Sequence, residues 1–510
     1  MHVTRVRTTA PEQAVTAPHT RPAGPLPWLT ALGLAFLVLQ LVVVVPGSGL
    51  GWDETVYVSQ AGGNAPPAFF SAPRARGISY LVSPVAALTA STAVLRIYLA
   101  LLSAAALVGA LYVWRKVLPT PVLVCAGAFF AGLWPTLFYG SAAMPNPWCA
   151  LGALAATGWV ARPVPDGTGR REAVGAGAAV ALVALMRPAD GFWLALPLVL
   201  AVSVSPGRRR PGVRAALVAG LIAGCAPWTA EAYTRFGGLG ARLHRAGEIQ
   251  GGLGWNMAVD DHLRALAGRT LCRPCDIGWE SPGTALWLTL LPLLVIGGVV
   301  AARRPGRGTV ALLAAGTGLS VALPYLFLVG YAAPRFLLPA YALLSVPLAE
   351  CLVHLFARAS NARRPGGAAL LTLVLAAHLT AQLLVVSHVV RVSHATTARF
   401  TAIAGALNRS GVRPPCVISG TDAVPIAYYA GCASRQTAGH DASTTPAALR
   451  KTALHVPTAL LVAPGAAPPP WAGGRRAVLL PPGNSVSAYR GYVVLPAVAA
   501  DRTDLARRPR

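Results

Sequence analysis

The chain has 510 residues, of which 55% are hydrophobic and 12% are charged, and its mean hydropathy is +0.55. A soluble globular domain carries about twice that share of charged residues, so this composition excludes one. The net charge of +26 would suit a nucleic-acid partner. Most basic residues lie instead in short clusters between apolar runs, which is typical of membrane proteins, so we expect no nucleic acid to bind.

Apolar runs of roughly 16 to 22 residues recur along most of the chain, and such runs are long enough, or nearly so, to cross a bilayer. They predict a polytopic α-helical membrane protein with about eleven transmembrane helices. The predicted spans are 28–45, 94–113, 121–140, 147–161, 173–187, 191–205, 213–230, 285–301, 309–329, 336–356 and 368–390. Those at 147–161, 173–187 and 191–205 are short for a membrane crossing.

Charges between the spans predict their orientation. Every second connection is basic, whereas connections between them such as 141–146, 188–190 and 330–333 are short and nearly free of Lys and Arg. The basic connections contain Arg115 and Lys116; Arg162, Arg170 and Arg171; Arg208, Arg209, Arg210 and Arg214; Arg303, Arg304 and Arg307; and Arg358, Arg363 and Arg364. Because positively charged loops stay in the cytoplasm, the N-terminus is predicted to lie inside and the C-terminus outside.

The chain divides into three predicted regions. Residues 1–27 are polar and Pro-rich without hydrophobic periodicity, which predicts a disordered cytoplasmic arm. Residues 28–390 form the transmembrane domain, with outer loops at 46–93 and 231–284. Residues 391–510 alternate strand-like and helical stretches, which predicts a small extracytoplasmic α/β domain. Its predicted elements are strands at 415–420 and 459–462 and a helix at 423–430.

Four of the eight cysteines lie outside the predicted spans, in the compartment where disulfides persist. Cys416 and Cys432 fit a disulfide that joins the first strand of the outer domain to the helix after it. Cys272 and Cys275 have the spacing of a redox or zinc motif. Without a second such pair or a thioredoxin-like context, a local structural disulfide is favoured.

The acidic pair Asp53-Glu54 follows the first span, where an outer loop is predicted to begin. Charged groups near a bilayer tend to be paired or to do chemistry. An ionised Asp53 could act as a general base towards an acceptor hydroxyl or orient it, with Tyr57 one helical turn further on. The alternative is a solvated or helix-capping pair. Two carboxylates are a thin metal-ligand set, so no metal is predicted to be required, although a divalent cation is left open.

Several arginines, one of them followed closely by an acid, cluster at the predicted outer ends of the spans. These candidate substrate-binding residues are Arg74, Arg76, Arg187, Asp190 and Arg335. Arginine binds phosphate bidentately and keeps its charge at any relevant pH, so the cluster would suit a lipid-linked phosphosugar. Alternatively, the arginines reach lipid headgroups, or they pair with Asp190 and Glu231.

The order of these features resembles a known family. Trp52-Asp53-Glu54-Thr55-Val56-Tyr57 lies in a long first outer loop, and short spans follow it. The later matching stretches are Ala226-Pro227-Trp228, Arg235-Phe236-Gly237 and Pro334-Arg335-Phe336-Leu337-Leu338-Pro339. Over about residues 28 to 390, the chain resembles the GT-C superfamily of integral membrane glycosyltransferases. Its pattern is similar to the branch of protein O-mannosyltransferases and aminoarabinose–lipid A transferases.

The resemblance implies a function. Members take a sugar from a polyprenyl-phosphate carrier and transfer it, with inversion, on the outer face of the membrane. It assigns the catalytic role to Asp53, with Glu54 assisting or holding the loop. The implied partners are a polyprenyl-phosphate sugar donor, membrane lipids and an envelope glycan, lipid or protein as acceptor. An Arg/Ala-rich chain with an outer tail is similar to actinobacterial members, which often build cell-wall glycans.

Two other functions remain open from the sequence. A transporter or flippase of lipid-linked precursors would carry ionisable residues near the bilayer midplane, often on paired repeats. Here the charges lie at span ends and no repeat is evident. A GT-C-like scaffold without catalysis is opposed only by the intact Asp53-Glu54 pair. The sequence therefore favours an extracytoplasmic glycosyltransferase.

Overall fold

The computed structural model of the protein describes residues 24–163, 169–204, 210–252, 254–276, 278–361, 365–463, 465–472, 476–481 and 490–495. Most of the predicted cytoplasmic arm lies outside these residues. The first helix begins at Pro25, three residues before the predicted span, because Pro is favoured in the first turn, where its missing N–H removes no hydrogen bond.

Helices account for most of the described chain. In order they are α1 Pro25–Leu39, α2 Trp52–Val58, α3 Gly77–Ala86, α4 Thr92–Val113, α5 Thr120–Gly132, α6 Trp134–Gly140, α7 Asn146–Ala161, α8 Arg170–Met186, α9 Pro188–Val204, α10 Pro211–Arg235, α11 Leu239–Ile249, α12 Val259–Ala265, α13 Leu286–Arg303, α14 Gly308–Phe327, α15 Leu338–Asn361, α16 Pro365–Arg409, α17 Ala423–Ala430 and α18 Pro446–Ala453.

Every predicted span coincides with helix, but fewer helices than predicted are long and apolar enough to cross a membrane. Among the described residues there are seven, or eight if the pair α5 and α6, bent by 75°, is one span. The difference from eleven comes from α7, α8 and α9, which have only 16 or 17 residues. The count of about eleven spans therefore stays a prediction.

The bundle is a multi-pass membrane protein in which α7 and α15 are more deeply buried than α16. In the most apolar stretch of α15, 89% of the residues are buried, and α7 is buried on nearly all sides. The corresponding stretch of α16 is only 17% buried. Exposed apolar side chains such as Val42, Leu293 and Leu373 cover the periphery. Apolar surface of this extent faces lipid in membrane proteins rather than water.

Close backbone contact joins α8 to α10. A side chain at Gly177 or Gly220 would collide with the backbone of the facing helix, and one at Gly224 would meet the carbonyl of Ala181. Small residues permit this approach, and close packing rather than the hydrophobic effect associates helices in a membrane. The contact places Arg187, which follows α8, near the end of α10.

The C-terminal region forms a mixed five-stranded sheet in the order β2-β1-β3-β5-β4. Its strands are β1 Val417–Gly420, β2 Ala433–Ser434, β3 Thr458–Val462, β4 Arg476–Leu479 and β5 Arg490–Val494. β1 runs parallel to β2 and β3, and β5 pairs antiparallel with β3 and β4. Strands β1 and β3 and helix α17 coincide with the predicted strands and helix. We call β1–β5, α17, α18 and their connections the sheet domain.

Helix α16 links the bundle to the sheet domain without a break, so it runs through the predicted boundary at residue 391. Its last turns carry Ile403 and Leu407, which pack with Ile418 and Leu461 in the core of the sheet domain. Cys416 and Cys432, which precede β1 and β2, are disulfide-bonded, as are Cys272 and Cys275. We call the end of the bundle next to this domain the sheet end.

Candidate active site

The segment that carries the acidic pair is a short helix at the sheet end. The Glu54 carboxylate accepts a hydrogen bond from the Gly51 amide at 3.0 Å, which caps the first turn of α2. Acidic residues are favoured in a first turn because they face the unpaired amides and the positive end of the helix dipole. Of the two acidic residues, Glu54 therefore caps the helix, which was the alternative to a catalytic role.

Glu54 points away from the site and is fully occupied. Its Oε2 also accepts from Arg96 at 2.8 Å, and its Oε1 accepts from the Ala143 amide at 2.8 Å. The residue is only 8% exposed. Both oxygens tie α2 to the bundle, which fits the loop-holding role that was given as its alternative, and the catalytic role of Glu54 stays a prediction.

A cavity of about 770 Å³ lies between the sheet end of the bundle and the sheet domain. Five of the eight predicted site residues line it, namely Asp53, Tyr57, Arg74, Arg187 and Arg335. The facing wall is formed by residues 420–422 and 436–441 of the sheet domain. Side chains that are far apart in sequence thus meet in one space.

Asp53 sits between two arginines and still faces the cavity, since 34% of its side chain is exposed. Its Oδ1 accepts from Arg74 Nη2 at 2.8 Å, and its Oδ2 accepts from Arg335 Nη2 at 3.2 Å. Burial acts to raise the pKa of Asp53, but the two guanidinium charges outweigh it and hold the pKa below its ordinary value. Asp53 is therefore ionised at neutral pH.

Arg74 and Tyr57 complete this corner of the cavity. Burial lowers the pKa of Arg74, but the charges of Asp53 and Asp441 reverse that effect and raise it, so Arg74 stays a cation. Its guanidinium lies 5.8 Å from the centre of the Tyr57 ring. Burial raises the pKa of Tyr57 to about 12, so its hydroxyl remains protonated. Tyr57 can therefore donate a hydrogen bond but is a poor base.

Arg335 and Arg187 reach the cavity from two other elements. Arg335 Nη1 donates to the Thr270 carbonyl at 2.7 Å, which fixes the guanidinium that binds Asp53. Arg187 lies over the rings of Tyr325 and Phe336, 5.1 Å from each ring centre. Stacking on aromatic faces holds an arginine while its N–H groups stay available.

Asp190 and Arg76 do not line the cavity, and their predicted substrate-binding roles stay predictions. Asp190 is buried, accepts from the Tyr325 hydroxyl and lies 3.7 Å from Arg187, so it positions that arginine. Arg76 donates to Glu231 at 2.6 Å and stacks on Phe70. Pairing with Asp190 and with Glu231 was the alternative to ligand binding, and the geometry matches it.

Sequence reasoning missed three cavity residues. Asp441 and Trp52 meet through a 3.1 Å hydrogen bond from the indole N–H to Oδ2. Arg273 lines the cavity from the disulfide-closed turn at Cys272, where it donates to the Ile249 carbonyl at 2.9 Å. Arg273 stood inside a motif that was assigned to the disulfide alone. Asp441 lies in a loop without hydrophobic pattern, so no sequence signal marked it.

The acidic residues of the site fit a metal ion poorly. Each oxygen of Asp53 already contacts a guanidinium group, and both oxygens of Glu54 already accept hydrogen bonds. Within the described ranges no group of three His, Cys, Asp or Glu side chains could hold a metal ion. The positive charge beside Asp53 comes from arginines.

No protein-family model matches the chain, and no curated protein matches its sequence. Solved structures do match its fold. ArnT from Cupriavidus metallidurans bound to undecaprenyl phosphate has a TM-score of 0.65 at 13% identity, over 92% of this chain and 99% of that one. The apo form of the same protein has a TM-score of 0.60 at 13% identity, over 92% and 98%.

A second protein shares part of the fold. The Archaeoglobus fulgidus oligosaccharyltransferase in complex with Zn and sulfate has a TM-score of 0.51 at 14% identity, over 82% of this chain and 62% of that one. Identities this low establish the fold alone. The chain therefore shares its fold with ArnT and, over a smaller part, with the oligosaccharyltransferase. This fold agrees with the family resemblance seen in the sequence.

Proposed function

We propose that the protein is a membrane glycosyltransferase that moves a sugar from a polyprenyl-phosphate donor to an envelope glycan, lipid or protein. The observation that carries the proposal is an ionised Asp53 that faces a cavity of about 770 Å³ lined by arginines. The similarity of the fold to ArnT, solved with undecaprenyl phosphate, supports this donor class. The site and the sheet domain would lie on the extracytoplasmic face, in contact with membrane lipids.

The donor phosphate binds at the arginines. Arg187 is held by its aromatic neighbours and by an ion pair from its Nε to Asp190 at 3.7 Å, and it presents its terminal N–H groups to a phosphate in the cavity. Arg273 lines the same cavity and forms no ion pair within the described part of the chain. Guanidinium groups match phosphate oxygens bidentately and stabilise the charge that develops on the leaving group.

The sugar is transferred by direct displacement. The bond between the anomeric carbon and the phosphate oxygen breaks, the acceptor oxygen bonds to the opposite face of that carbon, and polyprenyl phosphate leaves. Asp53 accepts a hydrogen bond from the acceptor hydroxyl and receives its proton as the new bond forms. Its lowered pKa makes Asp53 a weak base, so its main contribution is orientation of the hydroxyl.

No divalent metal takes part in this proposal, because Arg74 and Arg335 supply the positive charge beside Asp53. We expect transfer to proceed at the same rate after treatment with a chelator and dialysis. Loss of activity that is restored by added Mg²⁺ or Mn²⁺ would contradict this part of the proposal.

The test of the function uses protein purified in detergent with polyprenyl-phosphate-linked mannose, arabinose and glucose. An envelope extract serves as acceptor, and release of polyprenyl phosphate is followed together with the anomeric configuration of the product. We expect turnover of one donor with inverted configuration. Turnover of none would overturn the proposal, and movement of intact donor across a vesicle bilayer would favour the transporter.

A further inference from the structure

The sheet domain contributes one buried acid to the cavity. Residues 438–440 form an exposed tip of the cavity wall, but Asp441, which follows them, is only 5% exposed. A carboxylate is rarely buried unless it is paired or hydrogen-bonded. The partners of Asp441 therefore indicate what it does in the site.

Both partners of Asp441 are neighbours of Asp53. Its Oδ2 accepts from the Trp52 indole at 3.1 Å, and Trp52 directly precedes Asp53 in α2. Its Oδ1 lies 3.9 Å from Nη1 of Arg74, whose other terminal nitrogen donates to Asp53 at 2.8 Å. Arg74 thus has a carboxylate at each end of its guanidinium.

This arrangement fixes the orientation of Arg74. A distance of 3.9 Å is too long for a hydrogen bond, and both Arg74 Nη1 and Asp441 Oδ1 are buried without a hydrogen-bond partner in the described structure. The two charges still attract each other, and more strongly than they would in bulk water, because both side chains are largely buried. A second carboxylate restricts the rotation of the guanidinium plane that a single one would leave free.

The sheet domain is also tied to the segment before α2. The Tyr429 hydroxyl accepts from the Leu50 amide at 2.6 Å and donates to the Leu50 carbonyl at 3.1 Å. Asn64, after α2, donates to the Tyr428 carbonyl at 2.8 Å. With the contact of Asp441 to Trp52, the sheet domain holds the Asp53 helix at its start, in its first turn and beyond its end.

We propose that Asp441 is a positioning residue of the glycosyltransferase site, which holds Arg74 and Trp52 so that Asp53 keeps its place in the cavity. The proposal rests on the function proposed above and assigns a role to the sheet domain: this domain completes the active site instead of only neighbouring it. Asp441 acts through Arg74 and Trp52, so it affects the rate of transfer more than the binding of donor.

The test compares Asp441→Asn with wild type, using the sugar donor that the wild type turns over. Displacing catalytic groups by a fraction of an ångström lowers rates by about 10- to 100-fold, so we expect such a fall in kcat with little change in the donor KM. Asp441→Glu restores part of the rate. Asp276→Asn, the same change at an exposed position outside the cavity lining, leaves kcat unchanged.

A double-mutant cycle separates positioning from simple domain docking. With Arg74→Gln already present, Asp441→Asn should lower kcat by a smaller factor than it does alone, because one of the two residues through which it acts is gone. Full additivity of the two losses would overturn the proposal, and so would an unchanged kcat in Asp441→Asn.

Amide hydrogen exchange of residues 51–58 gives a readout that does not depend on turnover. We expect faster exchange there in Asp441→Asn and not in Asp276→Asn. Unchanged exchange would overturn the positioning role even if no donor were turned over. Absence of turnover in the wild type, with the expected exchange, would instead count against the proposed function alone.

Discussion

At the residue scale, two adjacent carboxylates have opposite surroundings. Consecutive helical residues point about 100° apart, so Asp53 faces the cavity while Glu54 faces the bundle. The sequence located the acidic pair and the arginines Arg74, Arg187 and Arg335. It could not show which acid meets which arginine, because the partners are far apart in sequence, as Asp53 and Arg335 are at 282 positions.

The arginines beside Asp53 should control the pH range of activity. A lowered pKa keeps Asp53 ionised as pH falls. The fall of kcat/KM at acid pH should therefore lie below the ordinary aspartate pKa of 3.8. In Arg74→Gln one lowering charge is lost while burial still raises the pKa of Asp53. We expect the acid limb of kcat/KM to move to higher pH, measured as a pH–rate profile. An unmoved limb would show that Arg74 does not control the charge of Asp53.

Glu54 should prove structural. Removing its charge leaves Arg96 buried and unpaired, since the side chains of the two residues are 10% and 5% exposed. Breaking a buried ion pair in this way costs about 3–5 kcal/mol. We expect Glu54→Gln to lower the thermal unfolding midpoint clearly, while the folded fraction still binds undecaprenyl phosphate. Wild-type stability with lost transfer would return Glu54 to a catalytic role.

At the element scale, regular patterns were readable and local connections were not. The long apolar runs and the strand–helix alternation around Cys416 predicted elements that the structure contains. Strands β2, β4 and β5 were not predicted, because β2 has only two residues and the other two lie near Pro- and Gly-rich stretches. The role of the 436–441 loop depends on tertiary contacts, so no local pattern encodes it.

The Cys416–Cys432 disulfide should stabilise the sheet domain. It closes a loop of 16 residues between the starts of two neighbouring parallel strands. Closing a loop of this length reduces the entropy of the unfolded chain by an amount worth about 3 kcal/mol. We expect the double Ser variant to be cleaved by protease within the sheet domain, with the bundle intact. Equal protease resistance of variant and wild type would contradict this role.

At the scale of the whole molecule, the basic connections between helices and the sheet domain are predicted to lie on opposite sides of the membrane. Charge placement predicted that the sheet domain is outside, and the fold alone does not decide the direction. Ala438→Cys, at the exposed tip of the cavity wall, should be labelled on intact cells by a membrane-impermeant maleimide. Arg304→Cys, exposed beyond α13, should be labelled only after lysis. The reverse pattern would invert the orientation.

Asp53 is proposed to act in the transfer of the sugar, and not only in binding of the donor. The most direct measurement compares wild type with Asp53→Asn in two respects: binding of undecaprenyl phosphate, and transfer of the sugar from the donor that the wild type turns over. General acid–base and orienting groups contribute about 10²- to 10⁴-fold, so transfer should fall by such a factor while binding is retained. Equal transfer by both proteins would contradict the assignment of Asp53 and leave the site without its catalytic carboxylate.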